Sequence, residues 1–95
     1  MKKYEVMYIV RPNLDEEAVK AVNEEMKAAF TSTGSEVLEC KDFGMKELAY
    51  EIEHETRGLY VWLNVLASGD SCKEFERRAN INENVIRHIV VVDER

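Results

Sequence analysis

Residues 59–66, LYVWLNVL, place large side chains on both faces of one strand-length run. Side chains alternate along a strand, so Leu59, Val61, Leu63 and Val65 line one face and Tyr60, Trp62, Asn64 and Leu66 the other. An antiparallel strand with one wet face reads as apolar-in, polar-out. This run does not, so both of its faces need cover. Helices account for the aliphatic face. An indole carries ~150–250 Å² of mostly apolar surface, worth very roughly 4–6 kcal/mol when buried at about 25 cal/mol per Å². The aromatic face therefore needs either a partner or shielding by long neighbouring side chains.

The rest of the pattern supplies the frame. KYEVMYIV, residues 3–10, alternates Tyr4, Val6, Tyr8 and Val10 against Glu5, Met7 and Ile9, which predicts a strand. Asn13 then reads as an N-cap with Glu16 three residues on, as in a capping box. Ala18, Val22, Met26, Ala29 and Phe30 recur at helical spacing up to Gly34, which predicts a helix over 14–33. A long strand runs from Glu36 to Ile52, with Gly44 marking a bulge or bend. The segment Glu53–Gly58 is expected as a turn into a third strand, Leu59–Ala67. Ser68–Ser71 supplies capping residues for a short helix carrying Cys72, Phe75 and Ala79. VIRHIVVV, residues 85–92, is the last strand.

The order βαββαβ, with right-handed crossovers, gives an α+β, ferredoxin-like fold. The expected sheet is antiparallel and four-stranded in the order 4-1-3-2, with both helices on one face. At 95 residues the chain is expected to form a single domain, 1–95. Its 45% hydrophobic content is that of a globular protein. No apolar run approaches the roughly 20 residues of a membrane helix, and no signal-peptide core follows Met1. Cys40 and Cys72 have no CxxC spacing, so neither a disulfide nor a metal site is expected.

The net charge of −6 argues at first against a polyanionic partner. Its distribution matters more. Residues 13–57 hold most of the acidic excess, whereas Lys2, Lys3 and Arg11 make both ends of the first strand basic. Lys46, Arg57 and Arg87 extend the set of cations available for phosphate, with Arg77 and Arg78 read as solvated charges among acids. Tyr4 shares a face with Val6 and is expected in the core, while Tyr50 suits either stacking or core.

The fragments KYEVMYIVRPN (3–13), GMKELAYEI (44–52), GLY (58–60) and NVIRHIVV (84–91) are similar, in order and spacing, to the bacterial small-subunit ribosomal protein six family. That resemblance covers nearly the whole chain and implies the same fold. It also implies a structural, non-enzymatic role on the cytoplasmic ribosome. The implied partners are the central domain of 16S ribosomal RNA, in the platform, and small-subunit ribosomal protein eighteen. Neither a cofactor nor a small-molecule substrate is implied. Lys2, Lys3, Arg11, Lys46, Arg57 and Arg87 are the RNA-binding candidates, and Met7, Ile9, Tyr60 and Trp62 the candidates for the partner-protein interface. The chain departs from the family pattern at Glu47 and Glu53, which put negative charge on the strand and turn expected to approach RNA.

Two other classes fit less well. An RNA-recognition motif shares the topology, and Arg57-Gly58 begins its third-strand signature, but Leu59-Tyr60-Val61 lacks the two aromatic positions and the small residue. A small dimeric enzyme with this fold would need a reactive constellation. Glu51, Glu53 and Glu55 are expected on one strand face without His54, which makes a weak metal site, and His88 is expected on the strand surface. Nucleophile motifs and glycine-rich phosphate loops are absent from the sequence.

Overall fold

The computed structural model describes residues 1–93, so the last two positions of the expected domain lie outside the described residues. The chain runs β1 (Lys2–Val10), α1 (Glu16–Thr31), β2 (Glu36–Ile52), β3 (Glu55–Ala67), α2 (Gly69–Ile81) and β4 (Val85–Val92). The four strands form one antiparallel sheet in the order β2-β3-β1-β4. This is the expected 4-1-3-2 order read from the other edge.

One sheet face and the two helices enclose the core. Val6, Tyr8 and Val10 of β1 and Val61, Leu63, Val65 and Ala67 of β3 are fully buried, beneath Val22, Met26, Ala29 and Phe30 of α1 and Phe75 and Ala79 of α2. Tyr4 packs against this cluster from its margin. Phe75 stacks on Phe30 with ring centroids 5.3 Å apart and meets Tyr8 at 6.3 Å. The Tyr8 hydroxyl donates to Asn23 Oδ1 at 2.6 Å, and burial pushes its pKa well above the ordinary phenol value.

Helix α1 starts later than its spacing predicts. Asp15, not Asn13, is the N-cap, accepting from the Ala18 amide at 2.8 Å, while Asn13 takes a left-handed conformation at φ 70° in the turn after Pro12. Gly34 ends the helix as expected. At φ 84° it lets the Ser35 amide reach the Phe30 carbonyl at 2.9 Å and its own amide the Thr31 carbonyl at 3.4 Å, the Schellman pattern. That turn delivers Thr33 and Ser35 to buried Ser71, whose Oγ lies 2.6 Å from both hydroxyls and 3.2 Å from the Ser68 N-cap hydroxyl. The end of α1 and the start of α2 are thus tied by one satisfied hydroxyl cluster.

One side-chain expectation on β4 is corrected and one on α2 is refined. Arg77 is an exposed charge among acids as expected and Arg78 a half-buried one, and both donate to Glu74, at 2.8 and 2.6 Å. Those bonds, Arg77 first, hold the Glu74 carboxyl down to about 2. His88 is half-buried rather than on the open surface: it meets Phe75 edge-on at 5.8 Å, and Nε2 lies 3.0 Å from Asn80 Oδ1.

The β2–β3 turn is also tighter than expected. Only Glu53 and His54 lie between the strands, both at positive φ (50° and 67°), the geometry of a type I′ hairpin without its usual Asn-Gly. Arg57 consequently sits in β3 opposite Glu47, not in a turn. Two non-glycine residues in the left-handed region carry a conformational cost. Replacing Glu53-His54 by Asn-Gly is expected to raise unfolding free energy by about 1 kcal/mol, measured by urea denaturation; a loss of stability would show that this turn is held by its own side chains.

Candidate protein and nucleic-acid interface on the open sheet face

The face opposite the helices is assembled from directly opposed residues of all four strands. Met7 pairs with Trp62 on one side and Ile89 on the other, and Lys41 of β2 lies beyond Trp62. The next row is Gly44, Tyr60, Ile9 and Arg87, and the one before is Glu39, Asn64, Glu5 and Val91. Residues opposed in register share a face, so these three rows define one surface.

Its centre is apolar. Met7, Tyr60 and Trp62 are half-buried, while Ile89 and Val91 on the edge strand are 54% and 48% exposed. Ile9 belongs to the same face yet is only 7% exposed. Two features cover it. Its Cγ2 rests on Gly58 of β3, where a Cβ would collide with it. The outer end of the β2–β3 hairpin also folds over it, forming with Met7, Ile9, Leu48, Ile52, Tyr60 and Ile89 a concavity of about 260 Å³. At the mouth of that concavity the Arg87 guanidinium of β4 donates to the Tyr50 hydroxyl of β2, with Arg87 Cζ 5.7 Å from the Tyr50 ring centroid. The open face is therefore partly shielded by the chain itself and partly bare. Within it, Asn64 Oδ1 is sealed from solvent with no hydrogen-bond partner.

The cations do not gather on one rim. Lys3, Lys46 and Arg87 lie on the open face by register. Lys3 and Arg87 are separated by six residues of β1, roughly 20 Å at the strand rise. Lys2 starts β1 on the other face, and Arg57 shares the parity of Leu59, on the helix side. Arg11 is engaged internally, donating through Nη2 to the Glu83 carbonyl at 2.8 Å, and so fastens the α2–β4 connection to the end of β1. One open-face cation was not anticipated: Lys41, whose Nζ lies 5.4 Å from the Trp62 ring centroid and 3.4 Å from Glu39. Ile89 and Val91 were likewise missed as interface candidates, although alternation in VIRHIVVV places them with Arg87.

The carboxylates of the hairpin do not share a strand face as expected. Glu51 is in β2, Glu53 in the turn and Glu55 in β3, and His54 Nδ1 reaches Glu51 at 3.4 Å. Among the described residues no group of three or more His, Cys, Asp and Glu side chains is arranged to hold a metal. Cys40 and Cys72 are both free thiols. No helix among the described residues is long and apolar enough to cross a membrane.

Comparison with known proteins agrees with this architecture. The family model described as ribosomal protein S6 matches residues 3–92. A crystal structure of 30S ribosomal protein S6 from Thermotoga maritima superposes with a TM-score of 0.90 at 25% sequence identity, covering 97% of this chain and 87% of that one. The βαββαβ order, the strand register and a family match spanning almost every described residue lead to one conclusion: the chain belongs to the ribosomal protein S6 family.

Proposed function

We propose that this protein binds the central domain of 16S ribosomal RNA jointly with small-subunit ribosomal protein eighteen, placing its open sheet face against the partner protein and its open-face cations toward RNA phosphate. As an S6-family member the chain is a structural component of the small ribosomal subunit, not an enzyme. One observation carries the proposal: two helices cover only one side of the sheet, and the other side keeps Met7, Tyr60, Trp62, Ile89 and Val91 at least partly accessible in a single connected patch. Such a patch on a chain of net charge −6 suits a protein surface better than bare RNA. The acidic departures lie off this patch, Glu53 in the turn and Glu47 opposite Arg57 with helix-side parity, so their repulsion of phosphate bears on the hairpin end and not on the patch itself.

Lys3, Lys41, Lys46 and Arg87 are the open-face cations available to RNA, with Lys2, Arg11 and Arg57 more peripheral. Engagement of three to five phosphates predicts that log K falls against log salt with a slope of roughly −2.7 to −4.5, by duplex-DNA scaling. The test is a titration of the central-domain RNA fragment with this protein, with ribosomal protein eighteen, and with both. Tight binding only in the joint mixture is expected. Equal, weak binding in all three mixtures would refute joint recognition.

A further inference from the structure

We infer that the outer end of the β2–β3 hairpin is a lid, latched across the open face by Tyr50 and Arg87, and that docking on this face requires the latch to open. The inference rests on the reading above that a partner uses the open face, and it adds a conformational step to it. Tyr50 belongs to β2 and Arg87 to β4, strands at opposite edges of the sheet with β3 and β1 between them. Their hydrogen bond and ring contact therefore span the whole width of the face. Regular pleated strands would hold these side chains three strand spacings apart, roughly 14 Å. The two long side chains close that gap by lying along the face toward each other.

The backbone pairing is irregular on the Tyr50 side. Pairing of β2 with β3 shifts register between Asp42 and Gly44, with Gly44 at φ 77°, and again between Glu47 and Ile52. The segment carrying Leu48, Ala49, Tyr50 and Glu51 thus lies between a bulge and the turn, outside the regular ladder. Such a segment opens more readily than a continuous strand. Beneath it lies an apolar floor, with Ile9 nearly inaccessible and Ile89 open at the side. In the closed state Tyr50, itself 58% exposed, occupies Arg87, an RNA candidate, while Leu48 and Ile52 of the same hairpin line the concavity over Ile9. One contact therefore restrains both proposed interactions, and a partner that needs this surface displaces Tyr50 first.

Tyr50→Phe keeps the ring and removes only the hydroxyl, and Arg87→Met releases the latch from the other side. Losing one hydrogen bond of ordinary net strength is expected to raise the open population about threefold to tenfold. In the free protein, amide exchange over residues 48–53 accelerates by that factor in either variant, and the apolar dye ANS gains fluorescence. The double variant does not exceed Arg87→Met, which already removes both the hydrogen bond and the ring contact, whereas Tyr50→Phe keeps the ring and gives the smaller effect. Unchanged exchange and dye binding overturn the latch. With ribosomal protein eighteen and the RNA fragment, Tyr50→Phe is expected to bind several-fold more tightly than wild type. If its exchange accelerates but its binding weakens, Tyr50 touches the partner and the lid is not inhibitory. Should wild type fail to bind either partner, the docking reading falls, and exchange and dye binding alone decide the latch.

Discussion

Phe75→Ala is expected to lower the unfolding free energy by about 3–5 kcal/mol. Phe75 is fully buried on the inner face of α2, stacked on Phe30 at 5.3 Å, tilted against Tyr8 at 6.3 Å and edge-on to His88 at 5.8 Å. It is the side chain through which α2 meets α1, β1 and β4 together. The helix has little else to bury, since its other buried residues are Ser71, Cys72 and Ala79. Against a net stability of about 5–15 kcal/mol for a domain of this size, the loss is large. Urea denaturation followed by far-UV circular dichroism measures it. A change below about 1 kcal/mol would mean that α2 is held mainly by the hydroxyl cluster at its start. The open face lies on the other side of the sheet, so the folded fraction of this variant keeps its partner affinity.

Gly58→Ala is expected to cost about 1–3 kcal/mol, an overpacking penalty within the sheet. An alanine Cβ would overlap Ile9 Cγ2 and come within 3.4 Å of the Val10 carbonyl oxygen. Ile9 is β-branched and stiff at χ1, so its methyl cannot swing clear without moving the strand. The position therefore calls for glycine through close approach rather than through an unusual φ. A double-mutant cycle with Ile9→Ala identifies the cause: the pair should cost less than the sum of the two single changes. Strict additivity would place the strain elsewhere, on the backbone contact with Val10. Because Ile9 forms the floor under the hairpin, this variant should also disturb the concavity beneath Tyr50.

Strand periodicity made the fold legible. Val6, Tyr8 and Val10 against Met7 and Ile9, and Val61, Leu63 and Val65 against Tyr60 and Trp62, alternate without interruption, and those two strands are the centre of the sheet. Strand β2 was harder to read for a physical reason. Its pairing skips Leu38 and Phe43, so the facing of every later residue shifts by one at each bulge. Gly44 advertises the second bulge; Leu38 gives no comparable signal. Lys41 accordingly escaped notice, and Leu38 and Phe43 themselves stand 43% and 45% exposed. The hairpin turn was misjudged because Glu53 and His54 adopt a conformation normally marked by Asn and Gly. At the start of α1 two good capping residues, Asn13 and Asp15, compete, and only the backbone reveals which one faces the Ala18 amide. The burial of Ile9 and the engagement of Arg11 by Glu83 depend on contacts between distant segments, 49 residues from Gly58 in the first case and 72 from Glu83 in the second. Local pattern carries no information on either.

Trp62 offers the most direct probe of docking on the open face. It is the sole tryptophan, half-buried at the centre of the apolar patch, with Lys41 Nζ 5.4 Å from its ring centroid. Acrylamide quenching of its fluorescence is to be measured at saturation with a tryptophan-free ribosomal protein eighteen, with and without the RNA fragment. Docking on this face predicts a blue shift and a fall in quencher access once the partner is bound. An unaltered spectrum and an unaltered quenching constant, under conditions where binding is independently saturated, would show that the helix-free face is not where the partner sits.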